Sequence, residues 1–370
     1  MLKRILLANA VFASIAFTTG GAGRRCHVEW RHTSGVRLHE TASVSNLTIE
    51  RDRLRITFTS GTIQFSQAVA GRVCVATFQG QGRLQVTVPH PREAQQLDLL
   101  LKGDSVDFQF TDAVLNFSSD AFDELARQLT WSPSNSGNLA DLYRSRMHEW
   151  EERGSPLQPR IVQSLLSAGG KRDAFLDVEL KTDGRGWMMV GFDARQAEEV
   201  TLDRWADRDY VGQYDTWLSF PAGNRDGGDA FRDPLEKASF FIRSYPIHWN
   251  VGSGTDLSAT STVKIDCLSP GDHFLVFDLN PNLRVDSVKD ETGAALPYFQ
   301  PREPKGRTLT YGAFLGVALP ASMQAGGTHT RIPLRREARD PECGSGKLFC
   351  SELRLVPGRP AQQRCVCDAG

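Results

Sequence analysis

Apolar and polar residues alternate along this chain with a period of two, and no other feature constrains its fold as strongly. Leu54, Ile56 and Phe58 are separated by Arg55 and Thr57, and Leu84, Val86 and Val88 by Gln85 and Thr87, while Ile63 with Phe65 and then Val106, Phe108 and Phe110 extend the series. Successive side chains of a strand point to opposite faces, so such segments bury one face and wet the other. Turn-forming residues fall where the runs break, at Ser60-Gly61, Gly71 and Gly80-Gln81-Gly82. The expectation is a meander of antiparallel hairpins rather than crossover units.

A helical interlude follows. Ser118 or Ser119 can cap a helix carrying Asp120, Phe122, Leu125 and Leu129, with acid in its first turn complementing the helix dipole. Leu139, Leu142, Tyr143, Met147 and Trp150 share one face of a second helix over 139–152, and Ile161, Leu165 and Leu166 mark a third. Strands resume at 174–180 and 187–192 around Asp183-Gly184-Arg185-Gly186, a hairpin composition. The Gly-, Asp-, Arg- and Pro-rich stretch from Pro221 to Pro234 lacks apolar periodicity and reads as a linker. Beyond it, short alternating runs at Ile242–Ile247, Leu257–Ile265, Phe274–Leu279 and Leu283–Val288, with almost no helix between them, predict a sandwich or open barrel.

With 370 residues and 40% apolar content the chain can bury two cores. The fold expected is therefore mainly β: a β-rich α+β unit at 24–220 with a helical insertion, a linker at 221–234, and an antiparallel β-sandwich at 235–331. A formal charge of -1 supplies no global field to recruit nucleic acid. Met1-Leu2-Lys3-Arg4, the apolar run from Ile5 to Phe17 and the small residues to Gly23 have the layout of a signal peptide at 1–23. Export to the periplasm or outside the cell is the expectation, with no membrane span in the mature chain, since the run is shorter than the ~20 residues a bilayer needs. Seven cysteines, four of them crowded at Cys343, Cys350, Cys365 and Cys367, make 332–370 an atypical Cys-rich tail with no usual zinc spacing.

No catalytic, cofactor-binding or metal site is written in these residues. A His-Glu-x-x-His helix puts two imidazoles on one metal beside a carboxylate that activates water. Neither His39-Glu40 nor His148-Glu149 is followed by the second histidine, and His148 with Glu149, Glu151 and Glu152 reads as a charged helix face. His248 and His273 stand without a further ligand or base at a telling spacing. Gly-x-Ser-x-Gly and phosphate-loop patterns are missing, and Asp226-Gly227-Gly228-Asp229 does not meet the calcium-loop register. Asn46-Leu47-Thr48 and Asn116-Phe117-Ser118 match the glycosylation sequon.

Tyr245-Pro246-Ile247, Asp256-Leu257-Ser258-Ala259-Thr260, Phe274-Leu275-Val276-Phe277-Asp278-Leu279, Leu283-Arg284-Val285-Asp286-Ser287-Val288, Gly293-Ala294-Ala295-Leu296 and Val317-Ala318-Leu319-Pro320 follow one another with the pattern of a known domain. Over roughly 235–331 the chain resembles the N-terminal, non-catalytic β-sandwich of the aminopeptidase N-like (gluzincin) zinc metallopeptidases. Asp215–Phe220 is similar to the end of an extra N-terminal region in some secreted bacterial relatives. After Arg331 the pattern stops where the family shows a further strand. A one-nucleotide shift of permitted codons can turn Ile332–Glu337 into Phe-Arg-Tyr-Glu-Gly-Lys and Leu348–Pro357 into Phe-Phe-Val-Arg-Ser-Ser-Gly-Trp-Tyr-Pro, both strand-like and family-like. The resemblance implies a tail out of frame and a catalytic domain, with its zinc, encoded downstream. The partner expected is then that missing domain, or a protein or peptide. The alternative is an autonomous exported binding or structural module, and a third reading is a peptidase with an unrecognised metal site at His148, His248 or His273.

Overall fold

A computed structural model describes residues 38–336, apart from 69–71, 90, 104, 133–136, 154–156, 167–173, 209–210, 224–237, 252–256, 269–270, 280–282, 301–313 and 320–326. The signal-peptide, linker-loop and cysteine-rich-tail readings lie wholly or largely outside the described residues. The fold is mainly β, as the alternation requires.

The first unit is one nine-stranded antiparallel sheet. Its strands are β1 (Leu38–Arg51), β2 (Leu54–Ser66), β3 (Val75–Thr87), β4 (Ser105–Phe117), β5 (Thr130–Ser132), β6 (Phe175–Thr182), β7 (Gly186–Asp193), β8 (Val200–Arg208) and β9 (Val211–Phe220). They lie in the order β5-β1-β2-β3-β4-β6-β7-β8-β9, a meander apart from the displaced β5. The residues read as turns at Ser60-Gly61 and Gly80–Gly82 lie inside β2 and β3. There the ladder is interrupted at Phe58/Ser60 and at Gln79/Gly82, and β4 is interrupted beside them at Phe110/Asp112. Such bulges bend strands without ending them. Phe58, Phe78 and Phe110 fill the bend edge to face, with centroids 4.8, 5.6 and 6.0 Å apart. The face they share carries the apolar set of every long strand, from Ala42 and Val44 to Leu218 and Phe220.

Helix α1 (Pro91–Leu101), unanticipated in the sequence, packs against β9 with Leu97 buried. Helix α2 (Ser119–Ala126) starts at Ser118 as expected, but the Ser118 hydroxyl donates to Asp120 and accepts from the Phe175 amide at 3.1 Å instead of capping the helix. Helices α3 (Gly137–Arg153) and α4 (Leu157–Leu166) match the expected periodic segments. Leu139, Tyr143, Met147, Ile161 and Val162 are buried. No helix among the described residues is long and apolar enough to cross a membrane.

The sandwich pairs a six-stranded sheet with a three-stranded one. The larger sheet holds β10 (Phe240–Ser244), β11 (Ile247–Val251), β12 (Leu257–Cys267), β14 (Arg284–Val285), β15 (Lys289–Asp290) and β18 (Gly327–Arg336), and the smaller holds β13 (Phe274–Asp278), β16 (Tyr298–Phe299) and β17 (Phe314–Ala318). Phe240, Val263, Ile265, Leu275, Phe277, Leu315 and Val317 form the core between them. β18 runs past position 331, where the resemblance stops, to Arg336.

The two units share a third apolar cluster. Cys74, Val75 and Val114 of the first sheet, Tyr143, Met147, Ile161 and Val162 of the helices, and Phe274, Phe299 and Phe314 of the small sheet meet in it. Phe299 stacks on Phe274 at 5.7 Å and takes the edge of Phe314 at 5.1 Å. Burial in this joint pushes the Cys74 thiol up to about 12. Only the thiolate is a competent nucleophile, so Cys74 is expected to resist iodoacetamide at pH 8 in the native chain and to label readily in denaturant. Peptide-level mass spectrometry checks this, and prompt native labelling would mean that the joint opens.

Candidate functional site

The densest set of charged groups lies on the second face of the nine-stranded sheet, under α3 and α4. Leu176, Val178 and Leu180 of β6 point into the apolar core, so Phe175, Asp177, Glu179 and Lys181 point the other way. At Phe175 and Glu179 that face is covered by the helices, while Lys181 stays exposed. From α3, Arg146 donates through Nε to Glu179 Oε2 at 2.9 Å and through Nη2 to the other oxygen, while its Nη1 lies 2.7 Å from Glu149. Its guanidinium also lies 4.3 Å above the Trp187 ring. From α4, Arg160 Nε donates to Asp193 Oδ2 at 2.8 Å, and the guanidinium covers the ring of Phe175.

Arg195, in the β7–β8 connection, reaches across to the sandwich. Its Nη1 donates to Ser239 Oγ at 2.7 Å and to Asp272 Oδ2 at 2.8 Å, and its Nη2 to Asp272 Oδ1 at 2.6 Å. The planar fork matches the carboxylate at both oxygens. These arginines hold layers together, and each is committed to a carboxylate.

Asp177 differs from its neighbours. It is half-buried, and its Oδ1 is closed off from water with no hydrogen-bond partner. Opposite it in register stands Asn116 of β4, 0% exposed, with neither amide atom partnered. Burial, with the charges of Glu179, Asp203 and Asp193 behind it, holds the Asp177 carboxyl well above the usual carboxylate range. Asn116 is also the second sequon asparagine, and in the folded chain a glycosyl transferase cannot reach it. The first, Asn46, is exposed on β1 with φ 54°.

The histidines do not converge on this region as a set. His39 falls on β1 and His148 on α3, with neither side chain among the described ones, while His248 is exposed on β11 and His273 precedes β13 in the sandwich. Among the described residues no three His, Cys, Asp or Glu side chains are placed to hold a metal ion.

Sequence reading missed Asp177, Asn116 and the three arginine clamps. Asp177 and Glu179 alternate with apolar residues and so imitate a wetted strand face. The available signal was Arg146 lying on the α3 stripe with Tyr143 and Met147, where a cation is out of place unless an acid meets it.

No protein-family model matches this chain, and neither does any curated protein. Among solved structures, an M1 zinc metallopeptidase from Deinococcus radiodurans is similar in part, at 19% identity and a TM-score of 0.22, over 26% of this chain and 20% of that one. The matched part thus spans about a fifth of that peptidase.

Proposed function

We propose that this chain is the non-catalytic N-terminal portion of an exported protein of the zinc-aminopeptidase type, whose sandwich buttresses a catalytic domain encoded downstream in another reading frame. The observation that carries the reading is Pro333. Strand β18 pairs with β12 along its length, Pro333 standing opposite Thr260, and on its other side with β15 only at 330–331 and with β14 only at 334–335. Proline has no N–H to give a ladder, so within sheets it belongs on edges, at strand starts or at bulges. A one-nucleotide shift of permitted codons can give arginine at position 333, which carries the N–H that proline lacks. Pro333 falls after Arg331, where the family-like pattern stops.

The test is the nucleotide sequence through codon 331 and beyond the present stop. An overlapping frame running through Tyr-Glu-Gly and Trp-Tyr-Pro to His-Glu-x-x-His is expected. Expressed in that frame, the chain should retain zinc on dialysis and release naphthylamine from aminoacyl-naphthylamides, whereas the present chain should do neither. A gene with no such second frame would sink the proposal.

A second reading, an autonomous exported binding module, draws on the joint. A shared apolar cluster and the Arg195–Asp272 clamp give the two units a common interior without a further domain.

A further inference from the structure

Helices α3 and α4 are seated on the sheet by the Arg146–Glu179 and Arg160–Asp193 pairs, and Asp177 lies between these two anchors. On one side the adjoining strand offers it Gly191, which has no side chain to bond the carboxyl; a Cβ there would lie 3.2 Å from Thr201 Oγ1 and in ordinary contact, 3.7 Å, with Asp177 Oδ2. On the other side is Asn116, with its amide unpartnered. Directly opposed residues of an antiparallel pair have Cβ atoms about 5 Å apart, within reach of two short polar side chains. A protonated carboxyl can donate its O–H to the Asn116 carbonyl while its other oxygen accepts from the Asn116 N–H, a two-bond match, whereas an ionised one can only accept.

We propose that Asp177 is a proton-gated seat for the helical layer: protonated, it bonds to the Asn116 amide and α3 and α4 stay docked, whereas ionised, it loosens them. This inference does not rest on the proposed peptidase relationship. The charges around the seat explain its direction. Glu179 on β6, Asp193 at the end of β7 and Asp203 on β8 are acidic, while Arg146 on α3 and Arg160 on α4 are committed to Glu179 and Asp193. Glu149 of α3 shares Arg146, Asp203 accepts from the Thr216 hydroxyl at 2.6 Å, and Asp112 of β4 lies 3.6 Å from Lys181. A new negative charge at Asp177 therefore meets like charge in a poorly solvated place.

The sign follows. A carboxyl whose proton affinity is higher folded than unfolded contributes stability that is fully present below about pH 4, the ordinary carboxylate value, and is lost as pH rises through the folded value. Hydrogen exchange of peptides spanning 137–166, measured on the full chain and on Asp177→Asn from pH 5 to 8, removes the intrinsic pH dependence of exchange when taken as a ratio. The ratio of wild-type to variant rates should climb by up to about tenfold per pH unit within the window, and a constant ratio overturns the proposal. Should Asp177→Asn not fold, carboxyl carbon NMR of the wild-type chain decides alone. A midpoint well above the usual carboxylate range supports the seat, and an ordinary midpoint refutes it.

Discussion

Arg146→Ala is expected to destabilise the fold by about 3–5 kcal/mol, the range for removing one partner of a buried ion pair. Arg146 and Glu179 side chains are 3% and 1% exposed, so truncation takes the two-pronged guanidinium away from a carboxylate shut in beneath a helix. It also strips the cation from above Trp187 and removes the Arg146–Glu149 contact. Lysine should not rescue, since a point charge cannot occupy both carboxylate oxygens while lying flat on an indole. Removing both charges is a different experiment. Arg146→Met with Glu179→Leu should recover most of the loss, because an apolar pair of similar volume costs no desolvation. Urea denaturation of the wild type, the single variant and the double variant measures this, and a double variant as unstable as Arg146→Ala would show that the pair is not what seats α3.

That pair also shows what the sequence could and could not reveal. Leu139, Tyr143 and Met147 are buried on α3 as their spacing demands, because helical periodicity is a local property. The partner of Arg146 is 33 residues away and that of Arg195 is 77 away, and nothing in local pattern couples charges at such separations. Asp177 and Glu179 were further disguised, since an alternating strand looks the same whether its polar face meets water or a helix layer. In the sandwich the longer strands were legible, but β14, β15 and β16 are two residues each, too short to carry any periodicity. β1 escaped notice for another reason: its apolar residues Ala42, Val44, Leu47 and Ile49 change parity across the left-handed Asn46, which breaks strict alternation while keeping all four on the core face.

Glycine misled in the opposite direction, and a substitution can show how. Gly80→Ala is expected to cost about 3 kcal/mol or more, at or beyond the upper end of overpacking effects. A Cβ on Gly80 would lie 2.0 Å from the Ser60 carbonyl oxygen and 2.6 Å from Gly61 Cα. Those are backbone atoms, which cannot rotate aside. Gly61 mirrors it, with φ +147° and a Cβ position 2.3 Å from the Gln79 oxygen. The two strands touch main chain to main chain where the sheet bends, which is why small residues cluster there without a turn. Gly82→Ala meets the Phe110 ring instead, 2.1 Å from Cζ; a ring can swing, so its cost should be smaller. Gly103→Ala, with open space around its Cβ, should stay within about 0.5 kcal/mol of wild type. For a unit of this size 3 kcal/mol corresponds to a fall of roughly 6–12 °C in melting temperature. If Gly80→Ala melts with Gly103→Ala, the strands do not cross here, and the break in alternation at Gly80–Gly82 marks the end of a hairpin after all.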